Sequence, residues 1–165
     1  LKSLFYNYQK SDFFSEVYPF IEEILSKKIQ LLSELNIHII ERICQQIGIK
    51  VEFIISSELQ GIEGVKDVRL VNLCKKIDCD EYLSPQGSAE YLEKETPGGQ
   101  LVKNQIRLFY QNFEHPENIQ LHGAFMKHLG VIDLLFNHGF NQSLEIIRNG
   151  SRPMIDHLSF RNNFQ

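Results

Sequence analysis

The chain lacks several features that mark membrane, secreted and nucleic-acid-binding proteins. Its 165 residues include only 3 cysteines, an odd number that cannot all pair within one chain, so we expect free thiols and a cytoplasmic protein. Its apolar runs fall short of the ~18 residues that a membrane span needs, so we expect no membrane span. The formal net charge is −4 and the basic residues are dispersed, so we expect no nucleic-acid partner.

Hydrophobic residues are plentiful enough to form a core. They make up 42% of the chain, with 12 Phe and 6 Tyr among them, whereas charged residues make up 23%. This balance is typical of a soluble globular protein, and the length suits one domain of ordinary size. We therefore predict a single α/β domain over residues 1–150, followed by a tail over residues 151–165.

Helical spacing dominates the first third of the chain. Apolar residues recur every three or four positions over residues 13–25, where Pro19 predicts a division into two short helical pieces. The same spacing over residues 32–47 predicts a helix that Gly48 ends in the left-handed conformation. The β-branched and aromatic content of residues 51–55 then predicts a buried strand.

The remainder of the chain alternates between strand and helix patterns. We predict strands at residues 82–83 and 106–110, and helices at residues 68–77, 89–95, 128–139 and 141–150. Strands separated by helical connections of this length pair in parallel through right-handed crossovers. The sequence therefore predicts a three-layer α/β sandwich with a mostly parallel, Rossmann-like sheet.

Small polar residues follow the carboxyl ends of two predicted strands. Ser56 and Ser57 come after the first strand. Ser84, Gly87 and Ser88 come after the second, in a loop that leads into a predicted helix. Ligands of open α/β sheets bind beyond such strand ends, and the free backbone amides of a helix start favour an anion such as a phosphate. The alternative is that Ser88 only caps the helix and Gly87 only forms the turn.

Two residues are candidates for acid–base chemistry. Asp133 lies among apolar neighbours, so its carboxylate needs a hydrogen-bonding or charged partner. In a structural role it would cap a backbone group or pair with a cation such as Arg107; in a functional role it would orient a histidine. His115 is the best-placed general base, because it lies in a loop after the carboxyl end of the third predicted strand.

Signatures of other site classes are missing from the sequence. The cysteines and the 6 histidines do not follow the spacing of a zinc site, so we expect no metal. The chain contains neither a Gly-x-Ser-x-Gly nucleophile elbow nor a phosphate-binding Walker loop. The sequence therefore supports neither a typical hydrolase nor a P-loop nucleotidase, and it identifies no cofactor.

Three sequence blocks resemble the WbqC-like family. They occur in the family's order and approximate spacing, and they read "LNIHIIERICQQIGIKVEFIISSEL", "RLVNLCKKIDCDEYLSPQGSAEYL" and "NFEHPENIQLHGAFMKHLGVIDLLFNHG". The resemblance runs from about Phe13 to Gly150, on the carboxyl-terminal two thirds of the family pattern. The family's opening segment, a strand followed by Gln-Pro-x-x-x-Pro and Gly-Tyr-Phe, is expected to be absent from this chain.

The resemblance carries the family's motif positions onto particular residues of this chain. These positions fall on Ser56, Ser57, Tyr82, Ser84, Gly87, Tyr91, His115, Gln120, Asp133 and Asn137. Departures from the family pattern occur at Ser88, where a second glycine is usual, at Asn118, where an aromatic is usual, and at Gly130, where serine is frequent. We expect His115 and Asp133 to be catalytic and the other motif residues, together with Ser88, to bind substrate.

The functional hypotheses follow from what the resemblance implies. Family members occur in bacterial gene clusters for surface polysaccharide, especially O-antigen, and are suggested to transfer glycine, or another aminoacyl or acyl group, to an amino sugar. The resemblance therefore implies small-molecule partners: an amino sugar or nucleotide sugar, and an acyl or aminoacyl donor. Two alternatives are a nucleotide-binding, adenylate-forming enzyme and a noncatalytic partner in a polysaccharide assembly complex.

Overall fold

In the computed structural model, which describes residues 1–162, helices account for about half of the chain and strands form a small sheet. The helices are α1 (Lys2–Tyr8), α2 (Phe14–Leu25), α3 (Leu32–Gln46), α4 (Lys66–Lys76), α5 (Ala89–Leu92), α6 (Gly99–Lys103), α7 (Val131–Gly150) and α8 (His157–Asn162). The strands are β1 (Glu81–Ser84), β2 (Arg107–Tyr110) and β3 (Ile155–Asp156). A short 3-10 turn, Gln86–Ser88, leads from β1 into α5.

These elements form two compact units. The first unit consists of Leu1–Phe53 and His115–Gly150, and the second consists of Ile54–Glu114 and Ser151–Gln165. The first contains α1, α2, α3 and α7, whereas the second contains the sheet and the remaining helices. Each unit has a hydrophobic core of its own.

The core of the first unit is built mainly from the apolar faces of α2, α3 and α7. Val17 and Ile21 of α2 pack with Leu135 and Phe136 of α7, and each of these four side chains is at most 2% exposed. The ring of Tyr8 in α1 stacks on Phe136, with the ring centroids 4.4 Å apart. These contacts place one face of α7 in the interior of the unit.

Two helices of this unit test the helical predictions. α3 confirms the helix predicted over residues 32–47, and Gly48 follows it with a φ of 82°. α2, by contrast, is one helix with Pro19 inside it, and the prediction of two pieces is wrong. Pro19 lies on the exposed side, where the carbonyl group left without its hydrogen bond can reach water. Buried Val17 and Ile21, one on each side of the proline, keep both halves on one packed face.

Gly139 divides α7 into two helical stretches, in line with the two helices predicted there. Its φ of 68° and ψ of −177° are non-helical, and only glycine adopts this conformation readily. A Cβ atom at this position would also lie 2.5 Å from Cδ1 of Phe13. Both the backbone angles and the close packing therefore require glycine here.

The second unit contains a three-stranded sheet in the order β1-β2-β3. β1 and β2 are parallel, with Tyr82 opposite Leu108 and Ser84 opposite Tyr110. β2 and β3 are antiparallel, with Tyr110 opposite Ile155. Both parallel strands fall where the sequence predicts strands.

The core of the second unit joins its helices to β2. Cys74 of α4 packs in one cluster with Leu101 of α6 and Leu108 of β2. Phe160 of α8 packs on Tyr110, with the ring centroids 4.1 Å apart. Leu108 and Tyr110 of the central strand are therefore buried.

The structure confirms a mixed α/β fold but not a three-layer, Rossmann-like sandwich. Within residues 1–162 the sheet has three strands, and it is only partly parallel because β3 runs antiparallel to β2. β3 and α8 arise from residues where the sequence analysis expects a tail. Burial of apolar surface stabilises β3 and α8, since Ile155 and Phe160 pack in the core of the second unit.

The strand predicted over residues 51–55 does not form. The segment is not assigned to any strand, and Val51, Phe53 and Ile54 are 56%, 43% and 45% exposed. A strand needs a ladder of hydrogen bonds to a neighbouring strand, and no strand within residues 1–162 pairs with this segment. A high content of β-branched and aromatic residues is therefore not sufficient to form a strand here.

Candidate functional site

The expected site residues fall into two sets, one in each unit. The set in the first unit is His115, Gln120, Asp133 and Asn137. The set in the second unit is Ser56, Ser57, Tyr82, Ser84, Gly87, Ser88 and Tyr91. Members of the second set line two cavities, so the second unit is the stronger candidate for binding a small molecule.

The loop after β1 folds more tightly than the sequence predicts. Helix α5 is only four residues long, shorter than the predicted helix, and a 3-10 turn precedes it. The amide of Ser88 donates to the carbonyl oxygen of Pro85 at 3.0 Å, and the amide of Ala89 donates to the carbonyl oxygen of Gln86. Because the chain itself satisfies these amides, they do not supply the free donors that an anion cradle at a helix start requires.

A cavity of about 480 Å³ lies beside this loop. Its walls come from the loop, α5 and α8, and are formed by Gln86, Gly87, Ala89, Glu90, Glu93, Phe160 and Arg161. The volume falls within the roughly 300–1,000 Å³ typical of small-molecule sites. Gly87 lies outside the left-handed region, and a Cβ atom there would meet no atom within 4 Å. The fold therefore does not require glycine at this position, and a larger side chain has open space beside the cavity.

Glu93 carries a largely buried charge in the wall of this cavity. Its side chain is 12% exposed. Its Oε1 accepts a hydrogen bond from the hydroxyl of Tyr110, and its Oε2 accepts one from the amide of Gly98, both at 2.9 Å. Nη1 of Arg161 lies 3.7 Å from Oε2 and donates to the carbonyl oxygen of Glu93 at 3.3 Å. Burial, and then the hydrogen bond to Glu93, raises the pKa of Tyr110 above its ordinary value.

Ser84 is fully buried at the end of β1. It is 0% exposed, and its Oγ has no hydrogen-bond partner among the described residues. A buried hydroxyl without a partner costs about 1–3 kcal/mol. Ser84 is therefore a candidate for contact with a bound water or ligand group, although its side chain is not part of the cavity wall.

Ser56 and Tyr82 line a smaller cavity of about 250 Å³ in the same unit. The structure thus brings together two expected site residues from separate segments of the chain. Burial raises the pKa of Tyr82, and Tyr91 and Cys74 raise it further through their charges. Ser57 is exposed and lies outside the walls of both cavities.

In the first unit, Asp133 is paired with Tyr8. The Tyr8 hydroxyl donates a hydrogen bond of 2.9 Å to Oδ1 of Asp133. Burial is the largest cause that raises the pKa of Tyr8 to about 12, and the hydrogen bond and charge of the carboxylate add to it. The cation that the sequence suggested for Asp133, Arg107, instead contacts Asp80 at 3.0 Å and Glu81 at 2.6 Å. Tyr8 therefore meets the hydrogen-bonding need of this carboxylate.

His115 lies among aromatic rings. Its ring centroid is 5.7 Å from the ring centroids of both Phe125 and His128. Its Nδ1 lies 3.4 Å from the carbonyl oxygen of Pro116, which is long for a hydrogen bond. A half-buried imidazole beside a second histidine has the chemistry of a proton acceptor, so His115 stays a candidate general base.

Gln120 and Asn137 use their side chains within the chain. Nε2 of Gln120 donates to the carbonyl oxygen of Met126 at 3.0 Å, and Oε1 accepts from the amide of Met126 at 2.8 Å. Nδ2 of Asn137 donates to the carbonyl oxygen of Asp133 at 2.8 Å. Both side chains therefore have a structural role. The substrate-binding role that the sequence suggested for them stays a prediction.

His138 is a polar residue of α7 to which the sequence analysis assigns no role. Its Nε2 lies 3.0 Å from the carbonyl oxygen of Ile119 and 3.2 Å from Oδ1 of Asn118. Because a carbonyl oxygen only accepts, Nε2 carries the hydrogen and donates it. His138 therefore ties the loop after His115 to α7.

The sequence analysis also missed Tyr8, Glu93 and Arg161. Tyr8 lies 125 positions from its partner in the chain, so no local pattern links the two. Arg161 falls in the segment predicted to be a tail, and Glu93 falls in a predicted helix among the charged residues Glu90, Lys94 and Glu95, which do not mark it as buried. These partners become visible only once the chain is folded.

Residues 1–162 contain neither a metal cluster nor a membrane-crossing helix. No three or more His, Cys, Asp or Glu side chains in this range are grouped so that they could hold a metal ion. None of the helices in this part of the chain combines the length and apolar character that crossing a bilayer takes.

Comparison with known proteins identifies a distant relative. A curated protein of Mycobacterium tuberculosis, described only as uncharacterised, is 28% identical to the chain over 140 residues. The alignment covers 84% of this chain but 58% of that protein, so the chain spans less than two thirds of the length of its relative. No solved structure shows significant similarity to the chain.

The match to a protein family is more extensive. The model of the WbqC-like protein family matches residues 1–145. This span does not support the expected restriction to the carboxyl-terminal two thirds of the family pattern, since it begins at the first residue. Because the match covers most of the chain and agrees with the three sequence blocks, the chain belongs to the WbqC-like protein family.

Proposed function

We propose that this WbqC-like protein is a transferase that attaches glycine, or another aminoacyl or acyl group, to an amino sugar during the synthesis of bacterial surface polysaccharide such as O-antigen. The role suggested for the family supports the reaction class. The observation that carries the proposal is the cavity of about 480 Å³ beside Gly87, after the carboxyl end of β1. The protein as a whole would then bind small molecules, an amino sugar or nucleotide sugar and an acyl or aminoacyl donor.

The wall of this cavity combines apolar surface with one cation and with the carboxyl groups of Glu90 and Glu93. Ala89 and Phe160 supply apolar surface that suits the face of a sugar ring or an acyl chain. Arg161 supplies a guanidinium whose contacts with other described residues use Nη1 alone. Its remaining N–H groups can bind a phosphate in the two-pronged geometry that arginine favours. A nucleotide-linked amino sugar, which carries both a sugar ring and phosphates, fits this combination.

Arg161 changes how an anion is held in this proposal. The sequence pointed to free amides around Gly87, but the amides of Ser88 and Ala89 are used within the turn. The guanidinium of Arg161, which lies 3.7 Å from Oε2 of Glu93, is the cation in the cavity wall that can contact a phosphate. We therefore assign the phosphate contact to Arg161 and the shape of the cavity mouth to Gly87.

In the proposal, and on the strength of the family motif, His115 takes the catalytic role and Asp133 takes a positioning role. On the family motif alone, and independently of the cavity in the second unit, the proposal assigns to His115 the proton that the amino group loses as the sugar nitrogen attacks the carbonyl carbon of a thioester donor. A C–N bond forms, the C–S bond breaks, and the thiol leaves with a proton. Asp133 accepts the hydrogen bond from Tyr8, and its role in the proposal is to orient the histidine base.

A turnover assay tests the proposal. The protein is incubated with a nucleotide-linked amino sugar and a glycyl or acyl thioester, and the amide product is detected by mass spectrometry. His115→Ala should abolish product formation, because the proton acceptor is lost. His128→Ala is the matched control, since His128 is the neighbouring ring, and it should retain turnover. Unchanged turnover in His115→Ala would overturn the role of His115.

Two other outcomes would replace the proposal with one of its alternatives. Product formation that requires ATP and releases pyrophosphate would identify an adenylate-forming enzyme. Failure to bind or convert any donor or acceptor would instead favour a noncatalytic partner in a polysaccharide assembly complex.

A further inference from the structure

The end of α4 brings the backbones of Cys74 and Cys79 together. The amide of Cys79 donates to the carbonyl oxygen of Cys74 at 2.9 Å. The amide of Asp78 donates to the carbonyl oxygen of Lys75 at 3.4 Å, and Asp78 has a φ of 56°. This pair of nested bonds around a left-handed residue is the Schellman ending of a helix.

The side chains at the two ends of this turn face the same space. In a Schellman ending, the side chains of the two residues joined by the outer bond commonly contact each other. Cys74 and Cys79 both line the cavity of about 250 Å³ that also contains Ser56 and Tyr82. Burial raises the pKa of the Cys74 thiol, and the charge of Cys79 raises it further, as expected for neighbouring thiols.

We propose that Cys74 and Cys79 are a redox-active thiol pair, which low-molecular-weight disulfides convert into an intramolecular disulfide. A disulfide spans Cα atoms that are roughly 4.4–6.8 Å apart, and the hydrogen bond from the amide of Cys79 to the carbonyl oxygen of Cys74 holds the two backbones close together. The closed turn and the shared cavity wall therefore place the two residues for this bond. This modification site is independent of the transferase proposal.

The exposures of the two thiols set the order of the reaction. Cys79 is exposed, so its thiolate attacks one sulfur of the small disulfide, and the other half leaves as a thiol. Cys74 is buried and reacts second, when its sulfur attacks the sulfur of Cys79 in the mixed disulfide and releases the second thiol. The two cysteines give up two electrons and two protons, and the small disulfide becomes two thiols.

Oxidation would change the wall of the smaller cavity. The new bond ties the end of α4 to the residue that leads into β1, and it removes both thiol groups from the lining that they share with Ser56 and Tyr82. The oxidation state of the pair thereby becomes linked to the shape of this cavity.

The test is the mass of the intact protein after treatment with oxidised glutathione, followed by alkylation and peptide mapping. The protein should lose the mass of two hydrogen atoms, retain no glutathione, and show a Cys74–Cys79 bridge. Cys74→Ser should instead retain one glutathione on Cys79, because the second thiol is missing. Cys44→Ser is the matched control and should behave like the unchanged protein, since Cys44 lies in the other unit.

Cys79→Ser is a second test variant, and it leaves the hydrophobic core unchanged. This substitution is on an exposed residue, and Cys74 should then stay reduced because its thiol is buried. A stable mixed disulfide on Cys79 in the unchanged protein, with Cys74 still open to alkylation after unfolding, would overturn the proposal. A bridge that includes Cys44 would overturn it as well.

Discussion

The hydroxyl of Tyr8 donates a 2.9 Å hydrogen bond to Asp133, a residue 125 positions further along the chain. The ring of Tyr8 also stacks on Phe136, which lies on the same helix as Asp133, with an angle of 6° between the ring planes. One residue of α1 thus fixes both a carboxylate and an aromatic ring of α7. A carboxylate in an apolar segment needs a hydrogen-bond donor, and Tyr8 supplies it for Asp133.

Replacement of Tyr8 by Phe keeps the stacked ring and removes only the hydroxyl. The half-buried carboxylate of Asp133 then loses its donor, so we expect the free energy of unfolding to fall by about 1–2 kcal/mol. Denaturant unfolding measures this change. Tyr6→Phe is the control, because Tyr6 in the same helix is 72% exposed. Equal losses in the two variants would contradict the role of the hydrogen bond.

The same pair predicts a loss of stability at high pH. The pKa of Tyr8 is about 12 in the folded protein against an ordinary value of 10.0, so the folded state holds this proton more tightly. The resulting stabilisation is complete below about pH 10 and is lost as the pH rises through about 12. Over this window the free energy of unfolding should fall more steeply for the unchanged protein than for Tyr8→Phe. Parallel pH curves would show that another group is responsible.

Gly139→Ala should be strongly destabilising for two reasons. The left-handed φ of 68° penalises any side chain, and the added Cβ atom would lie 2.5 Å from the ring of Phe13. We expect the free energy of unfolding to fall by about 2–4 kcal/mol. Gly123→Ala separates the causes, because Gly123 has a φ of 67° but no atom within 4 Å of an added Cβ. That variant should lose only about 1–2 kcal/mol, and an equal loss at both positions would refute the packing argument.

Gln120→Ala tests whether this residue closes the loop between positions 120 and 126. The substitution removes both hydrogen bonds to the backbone of Met126, so the amide hydrogen of Met126 should exchange with solvent faster. Gln120→Glu keeps an oxygen that accepts from this amide and should retain most of the protection. Unchanged exchange in Gln120→Ala would mean that other contacts hold the loop.

The elements with strong local signals could be predicted from the sequence. α3 and α4 have apolar residues at helical spacing, and β1 and β2 are short apolar runs bounded by turn residues. The apolar pattern of α3 is buried only in part, since Ile43 and Ile47 are each 7% exposed whereas Leu32 and Ile40 are 72% and 53% exposed. Local chemistry is sufficient where an element buries one face against a neighbour that the pattern already implies.

The elements that depend on distant partners could not be predicted in this way. Residues 51–55 have the composition of a strand but no pairing strand within the described residues. Residues 155–156 have no clear strand pattern, yet they pair with β2 because Phe109 and Tyr110 offer them an edge. Strand formation depends on a partner, and the sequence of one segment does not contain that information.

The candidate site also combines residues with a local sequence signal and residues that depend on distant partners. Glycine and small polar residues after a strand are a local signal, and the loop around Gly87 that carries this signal lines a cavity. Its role in binding a substrate stays a prediction. Arg161, Glu93 and Tyr8 come from distant segments and depend on tertiary packing for their contacts. The amides of Ser88 and Ala89, which the sequence predicted to be free, bond within a 3-10 turn, and such turns are frequent at the ends of α-helices.

The most direct test of the substrate cavity is a thermal-shift measurement with a nucleotide-linked amino sugar. An added Cβ atom at Gly87 meets no atom within 4 Å, and Gly87 lies in the cavity wall, so we expect Gly87→Leu to fold and to fill part of the cavity. Gly130→Leu, at an equally open glycine of the first unit, is the control. At 100 times the dissociation constant, the ligand should stabilise the unchanged protein and the control by about 2.7 kcal/mol and Gly87→Leu by much less. Equal shifts in all three proteins, or no shift in any of them, would contradict the claim that this cavity binds the substrate.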